Sequence, residues 1–268
     1  MTDARPIGMF DSGFGGLTVA RAVIDLLPHE DLVYVGDTGR YPYGPRPLDE
    51  VRQFAHEITK YLLDEHDVKL VVIACNNAAA AALDDLQATV GVPVIGVIEP
   101  GVRSLIAATR SGRIGVIATA GTVASGAYQR AVGATGAPVE LTCAACPGFV
   151  EFVERGDTDS DGVHVLAERL LAPVRAAAVD TLLLGCTHYP YLARTISDVM
   201  GRDVVLVSSA DETAFDARDR LDGSDLAAPQ SRVGTHRFFS SGDTTSFSTV
   251  GGRLFGPELA RAETVPWA

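Results

Sequence analysis

The feature that most limits what this chain can fold into is an internal repeat. Ile7-Gly8-Met9-Phe10, followed by Asp11-Ser12-Gly13, resembles Ile114-Gly115-Val116-Ile117 followed by Ala118-Thr119-Ala120, an offset of 107 residues. Leu70–Asn77 (LVVIACNN) resembles Thr181–His188 (TLLLGCTH), and 111 residues separate their cysteines, Cys75 and Cys186. Pro93–Val97 has a counterpart at Asp203–Val207, an offset of 110. Three landmarks in one order at nearly constant offset point to one structural unit used twice.

The repeated unit is of βα type. Short runs of Ile, Val and Leu alternate with longer amphipathic stretches, the pattern of helices wound around a parallel sheet. Strands are predicted at Arg5–Asp11, Leu32–Gly36, Leu70–Ala74 and Pro93–Val97. A helix is predicted where Leu17, Ala20, Val23, Ile24 and Leu27 recur at helical spacing before Pro28. A second presents Val51, Phe54, Ala55, Ile58 and Leu62 on one face, and an alanine-rich third runs from Asn77 to Ala88. The expectation is two similar doubly wound α/β domains related by a pseudo-twofold axis, with the active site in the cleft between them. Residues 1–97 and 208–268 form the first domain and 98–207 the second. The tail from about Asp211 is the least patterned region, read as a helix, a strand at Arg237–Ser240 and a final helix.

The 268 residues are enough for two hydrophobic cores. A net charge of −12 with no basic block argues against nucleic-acid binding by charge. No stretch approaches the roughly 20 apolar residues of a membrane span. Met1–Pro6 lacks the apolar run of a secretory leader. A cytoplasmic setting is expected, where four cysteines are free thiols rather than disulfides.

In open α/β sheets ligands sit beyond the carboxyl ends of the strands. The polar clusters follow that rule: Asp11-Ser12-Gly13, Asp37-Thr38, Tyr41-Pro42-Tyr43-Gly44, Cys75-Asn76-Asn77 and Cys186-Thr187-His188. The glycines at 13, 15 and 16 suit a backbone that presents N–H groups to a carboxylate or phosphate. Position 18 is threonine where a dinucleotide fingerprint needs glycine, and no Walker lysine follows.

Cys75 and Cys186 are each expected to end a buried strand and precede a helix, so that helix-start N–H groups and the local dipole favour thiolate over thiol. Environment must help, because an ordinary thiol with a pKa of about 8.5 is only roughly 3% ionised at pH 7. Two equivalent acid/base groups on opposite faces of one ligand are what stereoinversion at carbon requires: one takes a proton and the other delivers one. Asp11 and His188 are the expected helpers. Cys143 and Cys146 form a lone C-x-x-C with no second pair at zinc spacing, so packing is expected there and no metal site. Lys60 and Lys69 are the only lysines, one in an amphipathic helix and one before a strand. Neither suits a pyridoxal phosphate Schiff base, so no cofactor is expected. Thr119 is the repeat's counterpart of Ser12, and Thr119 and Thr122 join the candidate substrate contacts.

Taken together, DSGFGG (11–16), DTGRYPYG (37–44), ACNNA (75–79), CPGFVEFVE (146–154) and GCTHYP (185–190) resemble the glutamate racemases of the aspartate/glutamate racemase superfamily. The match covers nearly the whole chain in order. The resemblance implies cofactor-independent interconversion of L- and D-glutamate, supplying D-glutamate for peptidoglycan, by a soluble cytoplasmic homodimer. It places the acid/base thiols on Cys75 and Cys186, with Asp11, His188 and Glu154 assisting. It places substrate contacts on Asp11, Ser12, Tyr43, Gly44, Asn76, Asn77, Thr187 and His188. The chain departs from the family at Asn77, where threonine is usual. Other readings are an aspartate or hydantoin racemase, a two-lobed binding protein for an acidic ligand, or a cysteine-nucleophile hydrolase.

Overall fold

The computed structural model describes residues 2–256, 258, 259 and 261–267. The chain divides into two compact units, Met1–Val97 with Ala210–Ala268, and Ile98–Ser209.

The first unit opens with β1 (Ile7–Asp11), α1 (Leu17–Leu26), β2 (Leu32–Gly36), α2 (Leu48–His66), β3 (Leu70–Ile73), α3 (Asn76–Thr89) and β4 (Val94–Gly96). Every residue of these four strands is buried, because helices cover both faces of a parallel sheet. That is why the strands read as continuous apolar runs. Helix α2 begins after Pro47 with Asp49 and Glu50 in its first turn and stops where Asp67 turns left-handed at φ 46°. Its inner face is Val51, Phe54, Ala55, Ile58, Thr59 and Leu62. Each large apolar side chain there contributes about 1.5–3 kcal/mol through burial.

The second unit contains α4 (Ile98–Ala108), β5 (Arg113–Ala118), α5 (Ala120–Ala124), α6 (Ala127–Thr135), β6 (Glu140–Ala145), α7 (Phe149–Glu154), α8 (Asp161–Leu170), α9 (Ala172–Ala176), β7 (Thr181–Gly185), α10 (Ala193–Met200) and β8 (Val205–Val207). Phe149 and Tyr189 meet edge-on in its core, with centroids 5.4 Å apart.

The sheets are all parallel. The first runs β2-β1-β3-β4 and the second β6-β5-β7-β8, the same order shifted by four strands. Register repeats too: Ile7 pairs with Leu32 and Leu70, and Ile114 with Leu141 and Thr181. The sequence offsets of 107 and 111 are therefore structural equivalences. The fourth strand differs from expectation. Val71 pairs with Val94 and Leu182 with Leu206, so the offset is 206 − 94 = 112, not 110. Strand β8 is an edge with Val205 exposed, and too little of it is buried to anchor an alignment.

The tail returns to the first unit as α11 (Ala210–Gly223), β9 (His236–Ser240), α12 (Thr244–Phe255) and β10 (Glu263–Thr264). Strand β9 pairs with β2 and β10 with β9, extending the first sheet to six strands. The expected strand at Arg237–Ser240 is present, while the expected final helix is followed by a short strand. Phe247 of α12 is fully buried and stacks on Phe14 at 5.3 Å, directly behind the glycine-rich turn.

Candidate active site

In both sheets the strand order reverses between the first and third strands of the unit, β1 and β3 or β5 and β7. A ligand crevice forms at the carboxyl end of such a reversal. The chain puts Asp11-Ser12 and Cys75 there in one unit, and Thr119 and Cys186 in the other.

In the first unit Asp11 closes β1 fully buried, and its Oδ1 accepts the Gly13 N–H at 2.8 Å. The chain then turns so tightly that a Cβ on Gly16 would lie 2.5 Å from Asp11 Cβ and 2.7 Å from the Tyr34 hydroxyl oxygen. Only glycine fits. Tyr34 donates to the Gly13 carbonyl at 3.0 Å and holds the turn from below. Cys75 is the residue before α3, and Asn76 and Asn77 are its first two residues, all three buried. Burial pushes the Cys75 thiol up to about 12, and the neighbouring Asp11 carboxylate adds to the rise. The Ala78 amide and the Ser12 hydroxyl and amide act the other way and favour the charged form, but by less than burial and the Asp11 charge oppose it. Against the thiolate expected from the helix start, burial and the Asp11 charge push the Cys75 thiol toward its protonated form.

Tyr43 is buried and its hydroxyl donates to Asp37. Burial and the Asp37 charge hold that phenol far above its ordinary pKa, and a charge on Cys75 would raise it further. Tyr43 therefore faces the Cys75 end of the sheet with its proton already committed. What this segment offers a ligand is the backbone of Tyr43 and the half-exposed Gly44.

In the second unit Thr119 caps α5, its Oγ1 accepting from the Thr122 N–H at 3.4 Å and lying 3.2 Å from Thr122 Oγ1. Both threonines are buried. Cys186 and Thr187 follow β7, also buried. No α-helix begins after Cys186: Tyr189–Leu192 is a short 3₁₀ turn, and α10 starts only at Ala193. The expected helix dipole is missing at this thiol. A relay stands in its place, with Cys186 Sγ 3.9 Å from His188 Nδ1 and His188 Nε2 3.3 Å from Glu154 Oε1. His188 is buried, so the carboxylate at one ring nitrogen sets what the other can do for the sulfur. Tyr128 and Tyr189, both buried, lie close enough that a Cys186 thiolate would add to the rise that burial gives their hydroxyls.

Cys143 lies in β6 and Cys146 just beyond it; both are free thiols that burial pushes up, to about 11 and about 12. Cys146 accepts the Tyr189 hydroxyl on its carbonyl at 3.0 Å, a packing role. Among the described residues no group of three His, Cys, Asp or Glu side chains could hold a metal ion. Lys69 is buried against Glu30 at 2.6 Å, at the amino end of β3 and away from Cys75. Lys60 is exposed beside Asp64.

Sequence reasoning placed Asp37 at this end of the first sheet without giving it a role, and passed over Ser241 after β9. The carboxyl-end rule reaches Ser241 once β9 is known to be a strand of the sheet.

Residues 17–215 match the model of the Asp/Glu/Hydantoin racemase family. A glutamate racemase of Acidothermus cellulolyticus is 51% identical over 97% of this chain and 98% of its own length. Among solved structures, the glutamate racemase isoform RacE1 of Bacillus anthracis superposes with a TM-score of 0.91 at 40% identity, covering 97% of this chain and 96% of that one. A glutamate racemase of Francisella tularensis, solved in complex with D-glutamate, gives 0.89 at 31% identity over 98% and 96%. With two equivalent α/β sheets, a thiol at the same strand end of each, and these likenesses over nearly its whole length, the chain belongs to the Asp/Glu/hydantoin racemase family.

Proposed function

We infer that the chain is an amino-acid racemase that interconverts L- and D-glutamate with its two thiols, supplying the D-isomer for peptidoglycan. The observation that carries this is the pair of buried free thiols, Cys75 and Cys186, at equivalent strand ends of two equivalent sheets. The relatives named above, one of them holding D-glutamate, support the choice of substrate.

The reaction balances as two proton transfers. The thiolate of one cysteine removes the Cα proton, and the thiol of the other donates a proton to the opposite face. The enzyme is left with its two protonation states exchanged, ready for the reverse direction. Asp11 with Ser12 serves the Cys75 side, and His188 with Glu154 the Cys186 side. The carbanion is held by oriented dipoles around the substrate carboxylates: the hydroxyls of Ser12, Thr119, Thr122 and Thr187, the amides of Asn76 and Asn77, and the Tyr43–Gly44 backbone. With net charge −12 on the chain, these local groups rather than long-range steering select an acidic substrate. Neither lysine stands where a pyridoxal phosphate would need it, which supports a cofactor-independent reaction. We take the two compact units as the two domains of the enzyme. No helix among the described residues is long and apolar enough to cross a membrane. The four free cysteines support a cytoplasmic setting, and the family resemblance supports a homodimer.

The test is purified protein with L-glutamate in D₂O. Deuterium should enter at Cα as optical rotation decays to zero. Exchange with aspartate and none with glutamate would move the assignment to the neighbouring substrate.

A further inference from the structure

The Cys75 half-site leans on a segment far away in sequence. Beyond β9, Ser241 Oγ donates to Asp37 Oδ1 and accepts the Gly39 N–H at 3.0 Å, while its own N–H reaches the Gly36 carbonyl at 3.2 Å. Ser240 Oγ and Thr38 Oγ1 share a proton at 2.7 Å. Backbones meet here as well, since a Cβ on Gly39 would stand 2.7 Å from the Ser241 carbonyl oxygen. The other oxygen of Asp37 accepts the Tyr43 hydroxyl and Arg40 Nε, the latter at 2.7 Å. Arg40 is held in turn by Glu57 and by the face of Phe54, 4.2 Å from the ring centroid.

Asp37 is fully buried, and a carboxylate so placed persists only when its oxygens are satisfied. Three donors from two distant parts of the chain do that: Arg40 and Tyr43 from the loop after β2, and Ser241 from beyond β9. Such a carboxylate is organised to hold side chains in place rather than to move a proton. Its amide also extends β2 by donating to the Asp11 carbonyl at 2.9 Å, which seats it beside the Cys75 end of the sheet.

We propose that Ser241 is a positioning residue of the Cys75 half-site: its hydroxyl fixes the Asp37 carboxylate, which holds Tyr43 by its hydroxyl and so sets the Tyr43–Gly44 backbone for the substrate. This rests on the reading of Cys75 and Tyr43–Gly44 as reactive and binding groups. A residue that merely stabilised the sheet edge would not be coupled to Tyr43.

The test is a double-mutant cycle on the full chain with Ser241→Ala, Tyr43→Phe and both together. Each single variant should raise KM for glutamate about tenfold with kcat changed less, and the double variant should be no worse than the poorer single. Multiplied effects, about a hundredfold in the double variant, or an unchanged KM in Ser241→Ala, would overturn the proposal. Ser241→Cys, nearly isosteric with a poor donor, is the second variant if alanine does not fold. A readout independent of turnover is iodoacetamide labelling followed by mass spectrometry. Loosening Tyr43 should speed alkylation of Cys75 several-fold and leave Cys143 unchanged; equal Cys75 rates in wild type and Ser241→Ala would overturn it. If the wild type exchanges no Cα proton of glutamate, the proposed substrate fails and the labelling result alone decides the role of Ser241.

Discussion

The two halves share a strand order and a register, yet they treat their thiols differently. Cys75 stands before a long helix beside a buried carboxylate, Asp11, and is driven toward the protonated form. Cys186 is followed by a 3₁₀ turn and is served by His188 and Glu154. Where β1 ends in Asp11, the equivalent position of β5 is Ala118. The closed ends of the sheets diverge as well. Position 69 before β3 is a lysine buried against Glu30, while its equivalent before β7, Asp180, accepts the Thr109 hydroxyl and the amides of Arg110 and Ser111. A repeat conserves the backbone frame because the frame is set by strand pairing. The polar side chains at strand ends take no part in that ladder and are free to diverge.

The largest effect should come from what the halves share. Cys75→Ser and Cys186→Ser should each lower kcat for racemisation by at least about a thousandfold, as fits loss of an essential proton-transfer group. Wild-type turnover in either would end the two-thiol mechanism. At the closed end, Lys69→Met should cost about 3–5 kcal/mol in urea unfolding, because it strands a buried Glu30. A smaller loss would mean that Glu30 takes up a proton or reaches water.

His188→Asn should slow turnover about ten- to a hundredfold, and Glu154→Gln less, since it acts one bond further from the sulfur. Equal losses from the two would make the carboxylate a direct participant. For Cys75 the pH dependence has a definite sign: a raised pKa keeps the proton on through neutral pH. Its alkylation rate should climb about tenfold per pH unit from 7 to 10 with no plateau. A plateau near pH 8 would mean that the helix start prevails over burial after all. The smallest change is at Asp180. Burial opposes its charge, but the Thr109 hydroxyl and the loop amides outweigh it and lower its pKa. Asp180→Asn should lower Tm slightly at neutral pH, the deficit shrinking as pH falls below the ordinary carboxylate range near 4. A deficit that persists in acid would assign the loss to packing.

Much of the site was legible because each key residue ends an apolar run. Asp11, Cys75 and Cys186 stand where a buried strand must stop, and repeat offsets linked Ser12 to Thr119 without any structure. The Glu154–His188 pairing joins residues 34 positions apart, and no periodicity within the chain could pair them. The order of elements in the tail was legible, but its pairing was not, for a related reason. Strand β9 is short and flanked by irregular chain, so the role of Ser241 stayed hidden until β9 was seen beside β2.

By itself the sequence determined the architecture. Runs of Val, Ile and Leu long enough only for strands, separated by amphipathic helices and repeated at constant offset, leave a pair of parallel α/β sheets as the economical way to bury the apolar surface. Tertiary structure decided the chemistry at each thiol. Whether a sulfur is pushed toward the thiol by burial and a neighbouring carboxylate, or paired with an imidazole, depends on groups distant in sequence arriving within a few ångströms. Charge interactions and desolvation act through space, and a linear pattern cannot carry those distances.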